Sequence, residues 1–344
     1  MSTEIRKDYL LNRWVIIASE RAKRPTDFQV PKSVITEKGE CPFCPGNERM
    51  TPPALMLYLP SEKGIVKEKD TDGDRPSNWL VRCIPNLYPA LTSSAPAVSS
   101  VDKYRERSAG LGAHEVIIES PRHDEHPDNA ELKQLHLLIQ AYIDRTIALK
   151  KWSYVSIFRN HGERAGASLS HPHSQIIATS IVPRLILEEL HAYKKLFKEE
   201  GVCPYCRIIN LERETSRFIY ENQNFIAFAP WASIFPFEMW LIPKRHQSSI
   251  LQLEGKEKWD FAKTLKICLG ALSEILKDPP YSYGIHMAPT HEGRNYFHWH
   301  LEIYPKLTIQ AGFENSTSMY INVTPPEIAA ESLRKTAEKI DENL

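Results

Sequence analysis

His171-Pro172-His173-Ser174-Gln175 and His298-Trp299-His300-Leu301-Glu302 are one pattern written twice. Each has His at alternate positions, then an amide or a carboxylate two places on. Working outward, Val116-Ile117-Ile118-Glu119-Ser120-Pro121-Arg122-His123 returns as Met239-Trp240-Leu241-Ile242-Pro243-Lys244-Arg245-His246. The steps from 171 to 298 and from 123 to 246 are nearly equal. Further out, Cys41-Pro42-Phe43-Cys44 returns as Cys203-Pro204-Tyr205-Cys206 after a longer step, so the first copy holds an insertion of roughly forty residues before His123. The charged stretch 61–74 and the Ser/Ala-rich stretch 92–100 are natural places for it. Three landmarks in one order, twice, predict two tandem copies of one domain, residues 1–190 and 191–344, joined near 190–200.

Local patterns give the class of each copy. Short β-branched or aromatic runs at 13–18, 116–119, 154–158 and 175–178 read as strands, as do 225–228, 238–242 and 298–304. Helical periodicity is clearest at 129–150, where Leu132, Leu135, Leu138, Ile139, Tyr142 and Ile143 share a face, and at 256–276. A last helix is expected over 325–344, with Pro at its start. The fold class predicted is α+β, antiparallel sheets with packed helices.

Composition sets the bounds. Hydrophobic residues make up 42% and charged residues 25%, as in a packed globular protein. Lys plus Arg and Asp plus Glu both number 43, so no bulk field favours nucleic acid or an anionic membrane. No apolar run approaches the roughly 20 residues that span a bilayer. The polar start, residues 1–7, lacks the apolar core of a signal peptide, and a cytoplasmic protein is expected.

Four of the six cysteines form two Cys-x-x-Cys pairs, which in a reducing compartment suggests metal or redox chemistry. A redox pair or a mere structural turn would explain one such motif. The duplication favours metal, because each copy also supplies two His at matching places. The expected tetrahedral zinc sites are Cys41, Cys44, His123 and His171, and Cys203, Cys206, His246 and His298. Four protein ligands leave no open position for water, so their role is structural. The first would anchor His171, two residues before His173.

Strand alternation puts His171, His173 and Gln175 on one face. Gly162, Gly166 and Ser168 precede them and let backbone and hydroxyl groups approach phosphate oxygens. Arg21-Ala22-Lys23-Arg24-Pro25 adds a basic cluster, which alone would be an ordinary solvated turn. Neutral imidazole is a competent nucleophile near neutral pH, so His173 is the candidate nucleophile.

Together with Asn12-Arg13-Trp14-Val15, Asn86-Leu87-Tyr88-Pro89-Ala90, Pro236-Phe237-Glu238 and Ala311-Gly312-Phe313-Glu314, these motifs resemble the galactose-1-phosphate uridylyltransferase family of the histidine-triad superfamily, with ADP-glucose phosphorylase-like features. The resemblance covers nearly the whole chain. It implies two histidine-triad-like domains and a ping-pong reaction: His173 takes UMP from UDP-glucose and passes it to galactose 1-phosphate. It gives Gln175 the role of hydrogen-bonding the phosphoryl group, where histidine-triad hydrolases have a third His. Arg21, Arg24, Asn160 and Ser168 would hold phosphates, Asn86 would approach the nucleotide, and Phe313 and Glu314 would reach the hexose from the partner subunit of a homodimer. Zinc, one or two per subunit, is implied. An additional iron site is implied at Glu189, His286, His300 and Glu302, although the bacterial uridylyltransferases have His at the last position. The second Cys pair and the tail Ala311-Gly312-Phe313-Glu314 with Tyr320-Ile321-Asn322 resemble the phosphorylase side, whereas Pro172 resembles the uridylyltransferase form. The alternative activity is therefore phosphorolysis of ADP-glucose by the same histidine; a nucleotide-binding module without chemistry is a third reading.

Overall fold

The computed structural model describes residues 3–21, 28, 41–71, 73–96, 98 and 100–344, with Arg21 described in its backbone only. The strands are β1 (Glu4–Lys7), β2 (Trp14–Ile17), β3 (Met56–Ser61), β4 (Gly64–Glu68), β5 (Val81–Pro85), β6 (Gly112–Ile118), β7 (Tyr154–His161), β8 (His173–Thr179), β9 (Phe218–Glu221), β10 (Phe225–Phe228), β11 (Met239–Pro243), β12 (Tyr281–His286), β13 (His300–Pro305) and β14 (Tyr320–Asn322). The helices are α1 (Leu132–Leu149), α2 (Arg184–Glu200), α3 (Pro204–Arg213), α4 (Lys256–Leu276), α5 (Gly312–Thr317) and α6 (Pro326–Glu342). The three stretches expected to be helical became α1, α4 and α6. The apolar stripes of α1 and α4 are what they bury.

The two copies do not build separate sheets. Their strands form one eleven-stranded antiparallel sheet in the order β4-β3-β5-β6-β8-β7-β12-β13-β11-β10-β9. The seam is β7 against β12, with His161 opposite Tyr281 and Ile157 opposite Ile285. Outward from it the order repeats: β8 and β13, β6 and β11, β5 and β10. Strands β1, β2 and β14 form a small separate sheet. The charged stretch expected to be an insertion begins as the β3–β4 hairpin, Ser61 opposite Gly64. Its charged residues suit β4, an exposed edge strand where Lys67 and Glu68 discourage pairing with another chain.

Alternation gives the sheet two unlike faces. One is apolar: Ile157, Ile176, Ile285 and Leu301 pack under Leu138 of α1, Leu265 of α4 and Leu333 of α6. The other carries His173, Gln175, His286, His300 and Glu302. At one end this face is covered by Cys41 and Phe43 on Leu57, Val116 and Ile118. At the other, Tyr193 of α2 and Tyr205 of α3 cover Ile226, Phe228, Trp240 and Ile242. Helix α2 spans the expected join between the copies, and its Leu190 and Tyr193 pack with the second one. Among the described residues no helix is long and apolar enough to cross a membrane.

Candidate active site and metal centres

Each expected Cys2His2 set is assembled, its ligand atoms all within 4.8 Å of one another. In the first, Cys44 Sγ lies 3.3 Å from His123 Nδ1 and 3.5 Å from His171 Nδ1. His171 donates its Nε2–H to the Ser120 carbonyl at 2.9 Å, which leaves Nδ1 for the ligand side. In the second, Cys206 Sγ lies 3.7 Å from His246 Nδ1 and 3.6 Å from His298 Nδ1. His298 Nε2–H donates to the Pro243 carbonyl at 2.8 Å, so the duplication extends to the outer hydrogen bond. Burial holds His171 down at about 4 and lowers His298, keeping both imidazoles neutral, as ligation requires. Hydrogen bonding from Cys203 holds the Cys206 thiol well below its ordinary value. The knuckles differ: Cys41–Cys44 is a tight turn closed by Cys44 N–H to Cys41 O, whereas Cys203 caps α3 and Pro204 starts it. Proline at the first helical position costs no hydrogen bond, so the same two residues open a helix there.

His173 begins β8 and is buried. Its Nδ1 lies 2.9 Å from the His171 carbonyl. A carbonyl only accepts, so the ring proton is on Nδ1 and the lone pair is on Nε2. Burial lowers the pKa, so the ring is neutral near pH 7. The Phe43 ring packs edge-on at 5.4 Å, tying the first knuckle to this ring as well.

His173 lines a cavity of about 540 Å³ with Asn160, Gly162, Ser168, Arg159, His126, His161 and Asp278. Asn160 is near the end of β7. The chain then turns through Gly162 (φ 78°) and Gly166 (φ 88°), a backbone that L side chains rarely adopt, and this turn carries Ser168 into the cavity. Each nitrogen of Arg159 makes a bond: Nε donates to Glu119 at 3.1 Å, Nη1 to the Tyr281 hydroxyl at 2.9 Å and Nη2 to His126 Nδ1 at 2.8 Å. It is the floor of the cavity. His126, His161 and Asp278 went unnoticed in the sequence because 126 and 278 lie in loops with no motif. His161 directly follows Asn160, which was the available signal.

Gln175 follows His173 on the same face. Its Oε1 is 2.8 Å from His114 Nε2, and Asn86 Nδ2 is 3.1 Å from the same nitrogen. The structure thus brings Asn86 and Gln175 to the same nitrogen of a histidine that no sequence motif marked. Its signal was alternation: His114, Val116 and Ile118 share one face of β6.

Glu189, His286, His300 and Glu302 also converge. His286 Nδ1 is 2.8 Å from Glu189 Oε1, and Tyr304 donates to Glu302 at 2.5 Å. Burial opposes the charge on His286, but Glu189 and Glu302 outweigh it and hold its pKa up at about 9. His300 Nε2 is 3.1 Å from Glu302 Oε1. The second copy's histidine therefore has its outer nitrogen engaged by a carboxylate, where His173 has Gln175 two places on.

Phe313 and Glu314 lie on α5 and border a different cavity, with Ile309 and Tyr320. Within one chain they are not brought to His173. The side chain of Arg21 and all of Arg24 fall outside the described residues.

Comparison with known proteins matches this geometry. Family models for galactose-1-phosphate uridyl transferase match residues 80–183 (N-terminal domain) and 155–339 (C-terminal domain). The chain is 36% identical to ADP-glucose phosphorylase of Arabidopsis thaliana, over 98% of this chain and 93% of that one. It is 32% identical to galactose-1-phosphate uridylyltransferase of Thermotoga maritima, over 98% of this chain and 99% of that one. The crystal structure of the Arabidopsis phosphorylase with bound ADP-glucose superposes with a TM-score of 0.80 at 35% identity, covering 97% and 99% of the two chains. A uridylyltransferase structure superposes at 0.75 and 29%, covering 98% and 99%. The chain belongs to the galactose-1-phosphate uridyl transferase family of nucleotidyltransferases.

Proposed function

We propose that this protein transfers UMP from UDP-glucose to galactose 1-phosphate or a related hexose 1-phosphate, through a nucleotidyl-histidine at His173. The observation that carries the reading is the 2.9 Å bond from His173 Nδ1–H to the His171 carbonyl, which leaves a nucleophilic lone pair on Nε2. In the first half-reaction Nε2 bonds to the α-phosphorus. The phosphorus–oxygen bond to the sugar phosphate breaks, and its electron pair leaves on that oxygen. Glucose 1-phosphate departs as a stable anion, so no general acid is needed. The ring becomes cationic, its Nδ1 proton still held by His171. In the second half-reaction a phosphate oxygen of the acceptor attacks, the phosphorus–nitrogen bond breaks, and neutral imidazole returns. The Gln175 amide donates to a nonbridging oxygen as charge shifts onto it. Asn160 and Ser168 hold phosphate oxygens, with Arg21 and Arg24 assisting, and Asn86 approaches the nucleotide.

Zinc fits both Cys2His2 sets: two thiols and two neutral imidazoles are its preferred tetrahedral ligands. Its contribution there would be structural, and at the first set it would fix His171, whose carbonyl orients His173. The mixed set is suited to iron, and the buried Glu189 Oε2, without a hydrogen-bond partner, favours a cation there. A cytoplasmic homodimer in which Phe313 and Glu314 serve the other subunit's hexose completes the reading, with the chain divided into two units near residue 190.

A second reading is phosphorolysis of ADP-glucose. The second Cys2His2 set, assembled here and the point at which the sequence resembles the phosphorylase side, favours it, as does the 36% identity to the Arabidopsis phosphorylase. Two assays separate the readings: galactose 1-phosphate-dependent release of glucose 1-phosphate from UDP-glucose, and phosphate-dependent release from ADP-glucose. A strong preference for the second would overturn the first.

A further inference from the structure

His114 has no part in the chemistry above, yet its ring is held from both sides. Its Nδ1 accepts the backbone N–H of Ala90 at 3.1 Å. A peptide N–H only donates, so Nδ1 carries a lone pair and the neutral ring bears its proton on Nε2. That proton needs an acceptor. Two side chains face Nε2: Asn86 Nδ2 at 3.1 Å and Gln175 Oε1 at 2.8 Å. The Asn86 oxygen already accepts the Tyr88 N–H at 2.8 Å, which fixes its nitrogen toward His114 and leaves it no acceptor to offer. The remaining acceptor is Gln175 Oε1. The orientation of the Gln175 amide therefore follows from the donors around it: oxygen toward His114, NH2 away from it.

Resting on the proposed nucleotidyl-histidine chemistry, we infer that His114 is a positioning residue. It holds the Gln175 amide so that its NH2, and not its oxygen, meets the phosphoryl group at His173. Without it the amide could turn and present its oxygen to an anionic phosphate, a repulsive contact in place of a hydrogen bond.

The test uses the full-length, metal-loaded enzyme with UDP-glucose or ADP-glucose labelled in the α-phosphate, and follows single-turnover labelling of the protein. His114→Asn keeps an oxygen near the Nδ1 position for Ala90 but has no donor at Nε2. His114→Gln places an amide nitrogen near Nε2. Removing such a donor outright costs about 10²–10³-fold, and misorienting it is expected to cost about tenfold in the labelling rate constant. The half-saturating substrate concentration should change less than about twofold, because the contact strengthens only as charge shifts. His114→Gln should recover most of the rate. In a Gln175→Ala background, His114→Asn should slow labelling no further. Wild-type rates in His114→Asn, no recovery in His114→Gln, or a further loss caused by His114→Asn in the Gln175→Ala background would each overturn the inference. Nitrogen-15 spectra of the imidazoles provide a readout independent of turnover. An Nδ1–H tautomer at His114 overturns the inference even where labelling is normal. No labelling of wild type by either nucleotide sugar, with His114 as the Nε2–H tautomer, would instead place the failure in the proposed function.

Discussion

His173 and His300 stand at equivalent places, each donating Nδ1–H to the carbonyl two residues before it, at 2.9 Å and 3.1 Å. Only His300 has its Nε2 against a carboxylate, Glu302 Oε1 at 3.1 Å. Backbone geometry suited to a nucleophile is thus present twice, and one copy is blocked by its neighbour. Labelling with an α-labelled nucleotide sugar should saturate at one nucleotide per chain. His173→Ala should lower the labelling rate by at least about 10⁴-fold. His300→Asn should leave one label per chain, as read by intact-protein mass spectrometry. Two labels on wild type would contradict this assignment.

The two Cys2His2 sets should be separable by metal analysis. Cys44→Ser and Cys206→Ser should each remove one zinc and leave the other set loaded, as read by emission spectrometry. The functional costs should differ. Loss of the first set frees His171, whose carbonyl fixes the tautomer of His173, so labelling should fall about 10–100-fold. The second set ties the start of α3 to His246, just after β11, and His298, just before β13. Its loss should lower the unfolding midpoint more than the labelling rate.

Acid should destabilise the fold through His126. Burial first, then the charge of Arg159, hold this imidazole down at about 2 against an ordinary 6.5. Below 6.5 the unfolded chain binds a proton that the native state refuses until about 2. The stability is therefore fully present above 6.5 and is lost as pH falls through that window. One such group should cost about 1.4 kcal/mol between about pH 7.5 and about pH 5.5. Urea unfolding at both values should show this loss in wild type and a smaller one in His126→Asn.

Arg159 and Glu119 form an ion pair under the cavity, with side chains 1% and 3% exposed. Glu119→Gln removes the compensating charge but keeps the shape. Breaking a buried pair from one side costs about 3–5 kcal/mol, so a loss of unfolding free energy of that order is expected. A change under about 1 kcal/mol would mean that water reaches the guanidinium.

What the sequence disclosed was whatever has a local signature. The apolar stripe of 256–276 marked α4 to its ends, and the paired Cys and His motifs marked the residues that gather into both Cys2His2 clusters, with His173 beside the first. The seam was not legible, because the pairing of Ile157 with Ile285 is a tertiary choice between two strands that look alike in any order. The β3–β4 hairpin was hidden because an edge strand is charged for its own protection. His114 lies two residues before the run 116–119 that marked the strand, so nothing local singled it out. Its meaning depends on Ala90, Asn86 and Gln175, three places distant in sequence.

The seam has a consequence for any attempt to study the halves apart. Cutting the chain between them would strip β7 and β12 of their neighbour and bare a row of unpaired peptide groups on each piece. An open edge of this kind recruits whatever strand is nearest, most readily another copy of the same fragment. The isolated halves are therefore expected to self-associate or precipitate. Mixed during refolding, they should instead complement each other, since the partner each lacks is the other's exposed edge.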